Sequence, residues 1–224
     1  MNKKVIIFGG IGAASTIGMA ISDANKEGYN EYIMAGYLND LESHQAIDEF
    51  PILGGKSDIP RLLDEGYYFI NTVYKIDGQE NRKLLFESLN IPEDRLASFI
   101  SPKAYVASNV ELGPGSVVMP NASISAGVKT GICCRVMSGA LVGHDNNIGD
   151  HVFFAGNCTV GSHLNIGEFA YFGLNSTIGG KLKIGKFSVI GMGSVVTKNV
   201  ENYSIVMGSP ARHARFVKDK PRNV

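Results

Sequence analysis

From Ile100 onward the chain repeats in steps of six residues. Ile100, Val106, Leu112, Val118, Ile124, Thr130, Val136, Val142, Ile148, Phe154, Val160, Ile166, Phe172, Ile178, Ile184, Ile190 and Val196 stand six apart, and all but Thr130 are apolar. Hydrophobic residues are 44% of the whole, so chance would fill fewer than half of these positions. The following column is glycine in ten windows, among them Gly143, Gly149, Gly161, Gly167, Gly173, Gly179, Gly185 and Gly191. Four residues after the anchor stands a small or β-branched residue in nearly every window, as at Ala122, Val128, Ala140, Val152, Cys158 and Ala170.

A period of six implies a short strand with its branched anchor turned inward, followed by a turn. The glycine and polar positions let the backbone turn at low steric cost. Three such units close a triangular coil, and stacked coils pair as parallel strands about 4.8 Å apart. The roughly 100 residues from Ile100 to Val200 therefore predict five to six coils of a parallel β-helix, with no long loop between coils. The pattern resembles the left-handed type.

Ahead of the repeat the signals change to alternating strands and helices. Lys4–Phe8 reads as a buried strand, followed by a glycine turn at 9–15 and a helix to about Lys26. A strand Tyr32–Leu38, a helix near Ser57–Glu65, a strand Tyr67–Val73 and a helix Gly78–Leu89 follow. This order predicts a parallel sheet with crossover helices, a small Rossmann-like domain. The whole is α/β plus all-β: residues 1–97 as a Rossmann-like nucleotide-binding domain, and 98–224 as a left-handed β-helix with a C-terminal tail. Composition at the boundary gives no flexible linker, so the two parts should pack rigidly.

The glycine turn opens a helix, where free N–H groups suit a diphosphate. Gly10-x-Gly12-x-x-Ser15 is an incomplete dinucleotide fingerprint, and Asp40 comes late for its acidic partner. About 95 residues hold one nucleotide half-site rather than a dinucleotide, which argues against a nicotinamide enzyme.

Lys+Arg and Asp+Glu are 21 each, so the net charge is zero, which argues against a broad grip on nucleic acid or anionic membrane. No apolar run reaches signal-peptide or membrane-helix length, and three cysteines, two of them adjacent, form neither a disulfide framework nor a zinc pattern. The expectation is a soluble cytoplasmic protein, with Cys133, Cys134 and Cys158 as core or surface thiols.

One window breaks the repeat. In V-G-H-D-N-N, Asn146 fills a slot held in most windows by Ala, Val, Ser or Cys, and His144 and Asp145 sit at its turn. Ser162 and His163, 18 residues on, should stack near them. His44, His151, His163 and His213 read as solvated or structural, with His163 a second candidate partner for Asp145. No metal is expected.

The short α/β domain, the unbroken hexads, His-Asp in V-G-H-D and the closing V-M-G-S-P-A-R at 206–212 resemble the sialic-acid O-acetyltransferase/bacillosamine N-acetyltransferase family. The resemblance covers essentially the whole chain. It implies acetyl transfer to a nucleotide-linked amino sugar, with acetyl-CoA as co-substrate, no permanently bound cofactor, and a homotrimer with active sites between subunits. His144 matches the family's general base and Asp145 its acidic neighbour. Phe153, Ser162, Gly173, Leu174, Gly191 and Met192 match the acetyl-CoA side. Gly10, Ile11, Gly12, Ala13, Asn39 and Asp40 match the nucleotide-sugar side. The chain departs from the family at Ile11-Gly12-Ala13, where Ser-Gly-His is frequent, and at Phe153, where a histidine is frequent.

Acetyl transfer from a thioester needs a base for the nucleophile and donors for a tetrahedral oxyanion. His144 suits the first, and backbone N–H groups around Gly161-Ser162 the second. Adjacent side chains on a strand diverge, so whether Asp145 reaches His144 depends on the turn. The expected product is an N-acetylated 4-amino-4,6-dideoxy sugar. The alternatives are O-acetylation of the sialic-acid type, or a non-catalytic nucleotide-sugar-binding protein.

Overall fold

A computed structural model describes residues 3–40, 45–73 and 76–218; His44 lies outside them. Strand β1 (Lys3–Phe8) lies between β2 (Tyr32–Leu38) and β5 (Tyr68–Asn71), both parallel to it. The short hairpin β3 (Ala46–Ile47) and β4 (Phe50–Pro51), not foreseen in the sequence, sits between β2 and β5 in the chain. Helix α1 spans Ala13–Lys26, α2 Ile59–Asp64 behind a 3₁₀ turn at Lys56–Asp58, and α3 Gln79–Ser88.

Alternation along β1 separates two apolar layers, as the pleat of a strand requires. Val5 and Ile7 pack with Ile17 and Ile21 of α1, and that layer continues into Phe99, Val117 and Met119 of the repeat region. Ile6 and Phe8 face the other way, onto Ile59 and Leu62 of α2 and Phe69.

The repeat region is a parallel β-solenoid of about six turns. Two-residue strands line up on three faces, with partners 18 residues apart: Arg135↔Phe153, Leu141↔Thr159 and Asn147↔Asn165. The anchors fill the interior, from Val118 through Phe154 and Phe172 to Val196. Thr130, the one polar anchor, accepts the Gly113 N–H at 3.0 Å and donates to the Gly131 carbonyl at 3.0 Å. After Val196 the coil shortens: Ile190 pairs with Val206, 16 residues on. The G-S-P-A segment then turns the chain into an antiparallel strand, Arg212–Phe216, against Ser204–Met207.

The glycine column works differently from the expectation. A Cβ on Gly143 would lie 2.7 Å from the Gly161 carbonyl oxygen, and one on Gly149 2.7 Å from the Glu168 nitrogen. Coils approach too closely there for any side chain. The left-handed turn residues fall two positions later, on Asp145, His151, Asn157, His163, Phe169, Asn175 and Phe187, with φ between 55° and 60°.

The α/β part and the solenoid are in direct contact. Buried Arg135 donates to the carbonyls of Thr72 and Asn71 at the end of β5. Lys83 of α3 pairs with Glu168 at 2.9 Å, and Asp77 with Arg215 at 2.7 Å. Among the described residues, no helix is long and apolar enough to cross a membrane.

Candidate active site

At the corner after Val142 the chain turns through Gly143, His144 and Asp145. The left-handed conformation of Asp145, φ 55°, swings its carboxylate back toward the preceding residue. Asp145 Oδ2 lies 2.8 Å from His144 Nδ1. A carboxylate there fixes the proton on Nδ1 and leaves Nε2 with its lone pair free to take a proton. One coil on, the His163 N–H donates to the His144 carbonyl at 3.1 Å. The His163 ring meets the His144 ring edge-on, with centroids 4.9 Å apart, and its Nδ1 is 3.9 Å from Asp145 Oδ2. His144 and Asp145 side chains are each 54% exposed, so this corner is open on the single chain. Single ligand atoms of His144, Asp145 and His163 all lie within 4.8 Å of one another, and the hydrogen bond between His144 and Asp145 joins two of the three.

Asn146 is buried at this corner, and all of its amide is used. Nδ2 donates to the carbonyls of Gly143 and Gly161, both at 2.8 Å, and Oδ1 accepts the Leu164 N–H at 2.7 Å. Of the two N–H groups expected to meet an oxyanion, that of Gly161 is committed to the Ile178 carbonyl at 2.9 Å. Only the Ser162 N–H remains for that role.

Leu174 and Met192, one coil apart, are 49% and 77% exposed. Gly173 has no room for a Cβ, which would lie 2.6 Å from the Met192 nitrogen; at Gly191 a Cβ would touch Met207 Cβ at 3.0 Å. Phe153 does not share their exposed surface. It is buried, stacked on Tyr171 at 5.2 Å with the Arg135 guanidinium 5.9 Å from its ring.

A separate cavity of about 610 Å³ opens at the start of α1. Gly10, Ile11, Ala13, Asn39 and Asp40 line it, as do Lys56 and Arg82; Gly12 instead caps the helix with φ 109°. Asp40 Oδ1 also accepts the Lys56 N–H at 3.0 Å, so part of its carboxylate holds the loop. Arg82 Nε is buried without a hydrogen-bond partner. Sequence reading missed Lys56, Arg82 and Arg135, because nothing local marks them. A larger cleft of about 790 Å³, lined by Asn147, Asn165, Lys183 and Phe216, contains none of the candidate residues.

The remaining histidines and thiols have other surroundings. His151 lies between the Phe169 ring, stacked at 4.5 Å, and the Phe86 ring, edge-on at 4.5 Å. Burial, then the charges of Arg135 and Lys83, push its pKa down to about 3. His213 shares a 2.7 Å hydrogen bond with Ser204 Oγ. All three cysteines are buried and free, and burial pushes each thiol up to about 12.

No protein-family model matches the sequence, and no curated protein does. Solved structures do match. Perosamine N-acetyltransferase from Caulobacter crescentus, as a histidine-to-asparagine variant in complex with CoA and GDP-perosamine, is 23% identical with TM-score 0.82, over 95% of this chain and 97% of its own. The acetyltransferase domain of PglB from Neisseria gonorrhoeae, in complex with acetyl coenzyme A, is 22% identical with TM-score 0.82, over 96% and 100%. WeeI from Acinetobacter baumannii is 24% identical with TM-score 0.75, over 95% and 100%. The chain has their fold. The likeness runs through the α/β part and the solenoid alike.

Proposed function

We propose that this chain is an acetyl-CoA-dependent N-acetyltransferase acting on a nucleotide-linked amino sugar. The observation that carries this reading is the His144–Asp145 pair, bonded at 2.8 Å on an open solenoid corner. The shared fold supports it, since two of the neighbours are acetyltransferases with CoA or acetyl coenzyme A bound, one of them with GDP-perosamine.

His144 Nε2 removes a proton from the sugar amine as its nitrogen attacks the thioester carbonyl. Asp145 stabilises the imidazolium that forms. The tetrahedral oxyanion accepts from the Ser162 N–H. Collapse breaks the C–S bond, and the CoA thiolate takes the proton from His144. No acyl-enzyme is needed, which agrees with thiols held protonated by burial.

In this reading residues 1–97 hold the nucleotide in the cavity at the α1 glycine turn. Arg82, with its unpaired Nε, and Lys56 face the diphosphate, alongside Ile11, Asn39 and Asp40. Leu174 and Met192 meet acetyl-CoA, while Phe153 stays buried against Tyr171 and Arg135. The solenoid is left-handed and the working form is a homotrimer. A neighbouring subunit closing over His144 accounts for its exposure on one chain. The cytoplasm is the compartment that fits the co-substrate and the three free thiols, and a 4-amino-4,6-dideoxy sugar is the expected acceptor.

The test is mass spectrometry of the protein with acetyl-CoA and a panel of UDP-, dTDP- and GDP-linked 4-amino sugars. The expected result is one acetyl added to one member, stable to mild alkali as an amide is. An alkali-labile product would make it an O-acetyltransferase. Tight binding of a nucleotide sugar with no acetyl-CoA affinity would make it a binding protein.

A further inference from the structure

Asn146 breaks its column, and its hydrogen bonds supply a reason. One coil before it on the same corner stands Val128, and one coil after it Leu164, both buried. An asparagine, branched like leucine at Cγ but smaller, takes their place at 1% exposure. A buried amide is costly unless its polar atoms are paired, and all three bonds described above are short. The bond to the Gly143 carbonyl is local. The bond to the Gly161 carbonyl, 2.8 Å, crosses to the next coil. That carbonyl and the Ser162 N–H are the two ends of one planar, resonance-coupled peptide. A donor on the oxygen draws charge toward it, strengthens the N–H as a donor, and sets the tilt of the plane. The Ser162 carbonyl is itself held by the Lys181 N–H at 2.8 Å, so the peptide on its other side is fixed as well.

We propose that Asn146 is a positioning residue for the oxyanion donor: its side-chain amide orients and polarises the Gly161–Ser162 peptide, so that the Ser162 N–H meets the negative charge of the tetrahedral intermediate. This rests on the acetyl-transfer reading above. An apolar side chain serves the core equally well at Val128 and Leu164. What the amide adds is a grip between the coil that carries the base and the coil that carries the donor.

Ser188 shows how to isolate that grip. In the same slot of its own hexad, its Oγ donates to the carbonyl three residues back, Gly185, at 2.6 Å. This is the local half of what Asn146 does. Asn146→Ser is therefore expected to fold, keep the bond to Gly143, and lose both bonds that cross to the next coil, to the Gly161 carbonyl and from the Leu164 N–H. The expected kinetics are a kcat about tenfold lower with KM for acetyl-CoA within about twofold, because the donor acts when the oxyanion forms and not on the bound ground state. The acid limb of the pH–rate profile, set by His144, should not move. Asn146→Leu, which loses all three bonds, should lose about 100-fold.

A wild-type kcat in Asn146→Ser overturns the proposal. So does a fall in kcat accompanied by a shifted acid limb, which would place the effect on His144 instead. The same variant is read without any substrate in a ¹⁵N–¹H NMR spectrum. The Ser162 amide proton should move upfield while amides three coils away stay put. An unmoved Ser162 resonance overturns the proposal whether or not any amino sugar is acetylated, so its failure is separable from failure of the acetyl-transfer reading.

Discussion

Two corners of the same solenoid share a backbone and differ in everything else. Asp145 and His163 stand on one corner with φ of 55° and 60°; His151, Phe169 and Phe187 stand on another with φ of 56° each. The first corner is polar and half open, with His144 bonded to Asp145. The second is a closed stack, in which His151, Phe169, Phe187 and Tyr203 follow one another at 4.5, 5.3 and 5.1 Å, with Phe86 of α3 edge-on at its end. The repeat sets the turn geometry for both. The chemistry comes from what leans on each corner: solvent at one, a helix at the other. A histidine in a corner slot is thus a candidate base or an inert ring according to its neighbours alone.

The widest separation of the two corners is expected from alanine substitutions. His144→Ala should lower kcat by about 10²–10⁴ while the thermal transition stays where it is. His151→Ala should do the reverse, keeping most of the rate and losing about 2 kcal/mol of stability as a buried ring leaves its stack. Steady-state kinetics and thermal melts on both variants check this. A His144→Ala enzyme at full rate would remove the polar corner from catalysis.

A pH dependence of stability should come from the aromatic corner. Burial holds the His151 imidazole down at about 3 in the folded chain, against about 6.5 for a free histidine. Between those values the unfolded chain binds a proton that the folded chain does not. Stability therefore falls as pH drops below about 6.5, by about 1.4 kcal/mol per pH unit from this one site, until the folded ring titrates. His151→Phe continues the stack and should remove that part of the slope. Denaturant midpoints at about pH 5 and pH 7, compared between wild type and variant, measure it. An identical pH dependence in the two would mean that His151 is not held neutral.

The contrast between the corners also marks where the sequence was readable. The anchors from Ile100 to Val196 predicted the solenoid and its 18-residue pairing, because a period that must fill an interior leaves little freedom. The strands and helices of the α/β part fell close to their predicted places for the same reason. His144, Asp145 and Asn146 stood out because they interrupt a column. Their bonding was not readable, since neighbouring side chains diverge on a strand, and it is the left-handed turn at Asp145 that brings carboxylate and imidazole together. The role of the ladder glycines was misread as turn freedom, because close approach between coils is a property of the stack and not of one hexad. Arg135 was invisible for a related reason. It sits in the same outward slot as exposed Lys129, and only the docked end of β5 buries it.

The glycine ladder gives the finest test, since in stability it should not distinguish the corners at all. Gly143 precedes the polar corner and Gly149 the aromatic one, and a Cβ on either would meet backbone of the next coil at 2.7 Å. Gly143→Ala and Gly149→Ala should each cost about 1–3 kcal/mol, as an overpacked contact does when the obstructing atom is main chain. Only Gly143→Ala should also depress the rate, because its peptide carries His144. Gly193 provides the control: it takes a left-handed φ of 65° with nothing within 4 Å of a would-be Cβ. Gly193→Ala should therefore cost only the conformational penalty, about 1 kcal/mol. Chemical denaturation of the three variants orders them. If Gly193→Ala proved as costly as the other two, backbone conformation rather than coil-to-coil contact would be what the glycine column supplies, and the spacing of the stack would need another origin.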